Sequence, residues 1–249
     1  MRKPGGFLPG KSLDGELRAA MERVRRYGVA YPEGYHRQLR DKYAVQGVRY
    51  PHILMITGVP RINRHFFYPR VHEGAGRFLD YGCGTGDNIR QLLRDGFPRG
   101  QITAFDINRE SIDLGFDLYR DREEIGDLFV VAALFPFGPD EFDTIYSASV
   151  IHVIADDAEF RSYLARAFSS LRPGGTLFGS TLGLTDGAQR SPGARGPPRI
   201  PTQEQLAGHL AGAGFSRPKI VQRGRVPDYV PHSEELCSLE FCTKKPVSS

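Results

Sequence analysis

The chain has 249 residues, 40% hydrophobic and 25% charged, with a formal net charge of +4, enough to bury one sizeable core with a small appended part. No apolar run approaches the roughly 18 residues of a membrane span, and the basic N-terminus MRKPGGFLPGKSLDGELRAA lacks the apolar stretch of a secretory signal. Three cysteines, Cys83, Cys237 and Cys242, are too few and too badly spaced for a disulfide framework or a zinc site, so no metal is expected and a cytoplasmic setting is the default.

The charge is unevenly spread. Residues 1–70 hold fourteen Lys/Arg against five Asp/Glu, and the remainder nineteen against twenty-four. A basic N-terminal region beside an acidic main domain can receive an acidic substrate, or touch nucleic acid or a phospholipid surface. Within that region, Leu17, Met21 and Val24 recur at helical spacing and predict an amphipathic helix over 14–27. A second helix is expected around 35–45, in a stretch rich in tyrosine. We read residues 1–60 as a helical cap over a main domain of 61–249.

The main domain alternates in type. Strands are expected at 77–81, 101–105, 127–134, 142–149 and 176–181, with helices at 87–94, 110–120 and 156–171 between them. The run DLFVVAAL (127–134) is almost continuously apolar, as for a parallel strand covered on both faces. Arg172-Pro173-Gly174-Gly175 reads as a sharp turn into the fifth strand, and 182–201 as a long Gly/Pro-rich loop. A helix over 202–214, capped by Thr202, and strands near 217–222 and 236–243 complete the chain. This order specifies an α/β, Rossmann-like, doubly wound and mostly parallel seven-stranded sheet with helices on both faces.

The chemistry is concentrated at the first strand–helix junction, Asp80-Tyr81-Gly82-Cys83-Gly84-Thr85-Gly86. Glycines there let backbone approach a ligand closely. Asp106 follows Gly86 by twenty residues, where an acid ending the second strand can accept from ribose hydroxyls. Asp87 replaces the third glycine of a dinucleotide fingerprint, and with Asp80 it would repel a pyrophosphate. The pair suits a cofactor that carries an ammonium and a sulfonium instead.

These residues resemble motif I of class I S-adenosylmethionine (SAM) dependent methyltransferases. LRPGGTLFGS (171–180) and EFDTIYSASVIHVI (141–154) are similar to later elements of the same family. RINRHFFYPRV and FLDYGCGTGDNIRQLLRDGFP look similar to methyltransferases of fungal meroterpenoid and polyketide pathways, and the likeness covers about 60–220. It implies SAM as cofactor, with Asp80 ordering its amino end, Gly82, Gly84 and Gly86 under the methionine and ribose, and Asp106 on the ribose. Ser147 joins the expected cofactor contacts. The family's usual acid at the end of the third strand is replaced by Val131-Ala132-Ala133-Leu134, which leaves Ile107, Ala133 and Leu134 as apolar walls for adenine.

For the acceptor, Arg61 and Arg64 are candidates to pair with a substrate carboxylate, and Tyr31 and Tyr35 to line its cavity. His152, just past the fourth strand, is the candidate general base should the acceptor be a phenol or an amine. The resemblance implies O-methylation of a carboxylic acid or hydroxyl of a natural product. Open alternatives are C- or N-methylation, or a SAM-binding protein that promotes a cyclisation without methyl transfer. Nucleic acid is disfavoured as a partner, because YSASV (146–150) lacks the Asn/Asp-Pro-Pro-aromatic signature of base-methylating enzymes. A homodimer is compatible with all of these.

Overall fold

The computed structural model describes residues 12–48, 52–73, 76–185, 199–225 and 235–247. The N-terminal helices are α1 (Leu13–Arg25), α2 (Tyr35–Gln46) and the single turn α3 (Ile53–Ile56). The Ser12 hydroxyl caps α1 by accepting from the Gly15 amide at 3.2 Å, and Leu17, Ala20, Met21 and Val24 form its buried stripe. That stripe packs with Leu39 and Tyr43 of α2 and with Leu114, Leu118 and Tyr119 of α5 (Arg109–Tyr119). The Arg23 side chain reaches across to donate to the carbonyls of Leu54 and Thr57, which fastens α3 to α1.

Seven strands form one sheet: β1 (Phe78–Tyr81), β2 (Ile102–Asp106), β3 (Phe129–Val131), β4 (Phe142–Ala148), β5 (Leu171–Leu184), β6 (Ser216–Arg225) and β7 (Leu236–Lys244). Their spatial order is β3-β2-β1-β4-β5-β7-β6, with β7 antiparallel to both its neighbours and every other pair parallel. The expected doubly wound, mostly parallel sheet is present. Its helices are α4 (Asp87–Arg94), α5, the short α6 (Arg122–Ile125), α7 (Asp157–Ser170) and α8 (Gln203–Gly212). A reciprocal pair of hydrogen bonds between Thr202 and Gln205 caps α8. Phe78, Phe142, Phe178 and Phe241 are fully buried, and each such side chain contributes about 1.5–3 kcal/mol by leaving water.

Three expectations need correction. The third strand is short and half-buried, because it is an edge strand paired only with β2. Beyond it, residues 132–141 contain no helix; Phe135 and Phe137 fold back from this irregular segment onto Phe105, and Phe137 also onto Phe142. Arg172–Gly175 is a bulge inside β5 rather than a separating turn, since the pairing with β4 resumes after a register shift. Finally, β5 runs on to Leu184, so the loop expected at 182–201 begins later; its residues 186–198 lie outside the described ones.

Candidate active site

The site lies at the C-terminal edge of β1, β2 and β4, where the strand order reverses and a crevice opens. The chain enters the glycine turn with the amides of Gly82 and Cys83 both donating to the Phe105 carbonyl, at 2.8 and 3.1 Å. This draws the turn over the end of β2. Gly82 has a φ of +85°, and a Cβ there would stand 2.3 Å from Cγ2 of Val150. Only glycine meets both conditions. The Gly84 amide then donates to Oδ2 of Asp106 at 2.9 Å, and the Asn108 amide to Oδ1 at 2.8 Å. Two backbone donors thus fix the carboxylate at the lining of the cleft.

Asp80 sits one level lower. It is 1% exposed, and neither carboxylate oxygen meets a hydrogen-bond donor in good geometry. Burial pushes its pKa up to about 7, against the softening influence of the Asn88 amide and the Arg61 charge. An orphaned buried carboxyl under a glycine turn is costly unless something cationic completes it. Asp87 begins α4 and is fully used: its carboxylate accepts from the Gly58 amide at 2.6 Å and from the hydroxyls of Thr85 and Tyr119, each at 2.5 Å. It ties the segment after α3 to the turn.

The cleft has a volume of about 280 Å³. Of the residues expected there, Gly82, Gly84, Asp106, Ile107, Ala133 and Arg61 line it. The others do different work. Gly86, φ +76°, begins α4 with its Cα against the Phe129 ring, where a Cβ would come within 2.6 Å. Leu134 is 73% exposed and stands outside the cleft lining. Ser147 is sealed below it, its hydroxyl donating to the Tyr81 carbonyl and accepting from Tyr163, both at 2.7 Å. Tyr31 and Tyr35 stack on each other at 5.6 Å and donate to the Leu118 and Asp117 carbonyls, which closes the C-terminal end of α5 rather than a substrate cavity. Arg64 is exposed and outside the lining.

His152 does not face the cleft either. Its Nδ1 accepts from the Leu182 amide at 3.3 Å and lies 3.1 Å from the Thr181 hydroxyl. Burial drives its pKa down to about 3, with the nearby charges of Arg61 and His52 adding to the effect. It is a neutral, structural histidine. The histidine that does line the cleft is His52, beside Ile53 and Ile56 of α3. Burial first, then the Arg61 charge, lowers its pKa.

Among the described residues, Arg61 and Arg166 are the arginines that line the cleft. The Arg61 amide and that of Ile62 donate to Oδ1 of Asn88, at 3.1 and 3.2 Å, which anchors the segment on α4. The Arg61 guanidinium donates to the Ser149 hydroxyl at 2.5 Å and makes no ion pair among the described residues. Ser149 directly follows β4 and has a φ of +61°, a conformation that costs a non-glycine residue about 1–2 kcal/mol. Strain of this kind accumulates where a side chain must be aimed. Sequence reasoning missed Ser149, His52, Glu159 and Arg166, all of which line the cleft. His52, Glu159 and Arg166 belong to no motif, and Ser149 lies within EFDTIYSASVIHVI without having been singled out.

The residues fit SAM and do not fit a dinucleotide. Asp80 offers a buried carboxyl beneath a turn that no Cβ obstructs, Asp106 offers a fixed acceptor for a diol, and among the described residues no free cation stands at the helix N-terminus to receive pyrophosphate. Bound there, SAM supplies a methyl group activated on a sulfonium.

Residues 78–175 match the family model described as a methyltransferase domain. Among curated proteins, the chain is 27% identical over 146 residues to an O-methyltransferase, phiE, of a fungal species, covering 53% of this chain and 48% of the relative. It spans a little under half the length of the curated relatives it matches. Among solved structures, the [4+2]-cyclase SpnF superposes with a TM-score of 0.58 at 19% identity, over 70% of this chain and 77% of that one. The 1,6-didemethyltoxoflavin-N1-methyltransferase of Burkholderia thailandensis, solved with its substrate and S-adenosylhomocysteine, superposes with a TM-score of 0.52 at 23% identity, over 98% and 94%. With the matched stretch, the strand order and a buried Asp80 that fits the cofactor's cationic end, residues 78–175 carry a methyltransferase domain of the class I S-adenosylmethionine-dependent kind.

Proposed function

We propose that this protein methylates a carboxylate oxygen of a small, largely apolar natural product. The carrying observation is Arg61: a half-buried guanidinium in the cleft, aimed by Ser149 and without a carboxylate partner among the described residues. A planar fork in this state is suited to one oxygen of a substrate carboxylate, leaving the second free to react. The remaining acceptor wall is apolar, from Ile53, Ile56, Val59, Val150 and Val153. The O-methyltransferase name of the fungal relative supports the reading.

A carboxylate is ionised at neutral pH and asks for no general base, which suits a cleft from which His152 is turned away. The protein's contribution is alignment and exclusion of water, worth about 7–11 kcal/mol at the limit. The described part of residues 1–60 acts as the lid of this acceptor end, with His52, with Ile53 and Ile56 of α3, and with Val59 touching the cleft.

The test is incubation with SAM and a panel of terpenoid and polyketide carboxylic acids, reading S-adenosylhomocysteine and product mass. The expected product gains one CH2 and returns the acid on alkaline hydrolysis. Arg61→Met should raise KM for that acid roughly 10- to 100-fold, the loss of one charge-assisted hydrogen bond, with SAM affinity within about twofold. Methylation at nitrogen or carbon, or conversion of a substrate without S-adenosylhomocysteine, would refute the proposal.

A further inference from the structure

The adenine end of the cleft lacks the acid that its position calls for. β3 ends in Val131, and the residues after it are Ala132, Ala133 and Leu134, none with a side-chain acceptor for the exocyclic amine. Ala133 and Ile107 nevertheless line the cleft beside Asp106, so the ring has walls and no polar reader on this side. A buried amine left without an acceptor would cost about 1–3 kcal/mol of affinity.

No helix stands between β3 and β4 among the described residues. Because 132–141 is irregular, the cleft continues past the end of β1 to α7, and Glu159, Tyr163 and Arg166 of that helix line the same space as Asp106, Ile107 and Ala133. Glu159 is exposed, and its side chain makes no hydrogen bond or ion pair among the described residues. The acid beside it, Asp157, is paired with Arg199. A favourable position in the first turn of a helix accounts for acids there in general. It does not account for an acidic residue on the lining of the cleft. The Tyr81 phenol, 7% exposed, also lines this recess and stands within reach of the charges of both Arg166 and Glu159. The recess thus offers a fixed-charge acceptor next to donors, the complement of adenine's amino group and adjacent ring nitrogen.

We propose that Glu159 of α7 reads the adenine amino group, replacing from the opposite side of the cleft the acid that β3 does not provide. The inference rests on the cofactor assignment and is independent of the acceptor. Donors for the ring nitrogen come from the Tyr81 hydroxyl or the Arg166 guanidinium.

Isothermal titration with S-adenosylhomocysteine and its 6-deamino analogue, in which purine replaces adenine and only the amino donor is lost, tests it. The wild type should prefer S-adenosylhomocysteine by roughly tenfold or more, as expected for a hydrogen bond to a charged group. In Glu159→Ala that preference should collapse to near unity, with the whole loss falling on S-adenosylhomocysteine. Glu159→Gln, which keeps an uncharged acceptor, should retain part of it. Glu159 is exposed on a helix surface, so the variants should melt with the wild type. Equal weakening of both ligands, an undiminished preference in Glu159→Ala, or a wild type that binds both equally would each overturn the proposal. A wild type that binds neither ligand would overturn it together with the cofactor assignment.

Discussion

The cofactor end of the cleft is held by backbone, and the acceptor end by side chains brought from far apart in the chain. At the first, Gly84 and Asn108 amides grip Asp106, Gly82 and Cys83 amides grip the Phe105 carbonyl, and all of these residues fall between 82 and 108. At the second, Arg61 meets Ser149 across a separation of 88 residues, and α3 is pinned by Arg23 from α1. Short-range backbone geometry tolerates little substitution. Side chains on separate elements can be exchanged while the frame stands, which is how one fold comes to serve many acceptors.

The contrast is sharpest at Asp106. Its carboxylate accepts from the Gly84 amide and is the acceptor we propose for the ribose hydroxyls. Asp106→Ala removes a charged acceptor and loosens the turn that the cofactor rests on, so SAM affinity should fall by roughly 100-fold or more. The half-exposed position and its place at the end of β2 leave the core intact, so circular dichroism should be unchanged. Calorimetry that finds near-normal affinity would mean that the frame, not the acid, holds the cofactor.

The same contrast explains what the sequence disclosed. The glycine turn and Asp106 are legible because their function depends on local φ/ψ and on a spacing set by one βαβ unit. The helix 203–212 was legible from its Thr202 cap and first-turn Glu204 and Gln205, and the helix 87–94 from its place after the glycine turn. Ser149 was not, because nothing in YSASV announces a left-handed serine. Tyr31 and Tyr35 misled because their rings look like cavity lining, whereas their hydroxyls satisfy the last carbonyls of α5. The third strand misled because hydrophobicity does not tell an edge strand, paired only with β2, from a central one.

Asp80 offers an intermediate effect, with a sign that can be worked out. Its folded pKa, about 7, lies above that of an unfolded aspartate. Between about pH 4 and 7 the folded state therefore holds a proton that the unfolded state gives up, and the stability of the unliganded protein falls as pH rises through that window. A cationic amino group over Asp80 favours the ionised form. SAM affinity should therefore rise on the order of tenfold from pH 5.5 to 7.5. Asp80→Asn should flatten that rise, weaken binding, and raise the melting temperature of the unliganded protein above pH 7. A variant with the wild-type pH dependence would detach the carboxyl from the cofactor's amino end.

The smallest effect on turnover is expected at His152, and it separates a base from a strut. The ring is 7% exposed, takes the Leu182 amide on Nδ1, and has its pKa held at about 3. With the folded value below the unfolded one, the histidine lowers stability as pH falls below about 6.5, because only the unfolded chain gains the proton. His152→Gln keeps an acceptor for the Leu182 amide and loses the titration. It should leave kcat within about threefold and the shape of the pH–rate profile unmoved, while weakening the acid dependence of stability between about pH 4 and 6.5. A kcat that drops 100-fold with loss of an acid limb would put a proton transfer at this ring. It would also turn the acceptor from a carboxylate to a phenol or an amine, because only those need their proton removed.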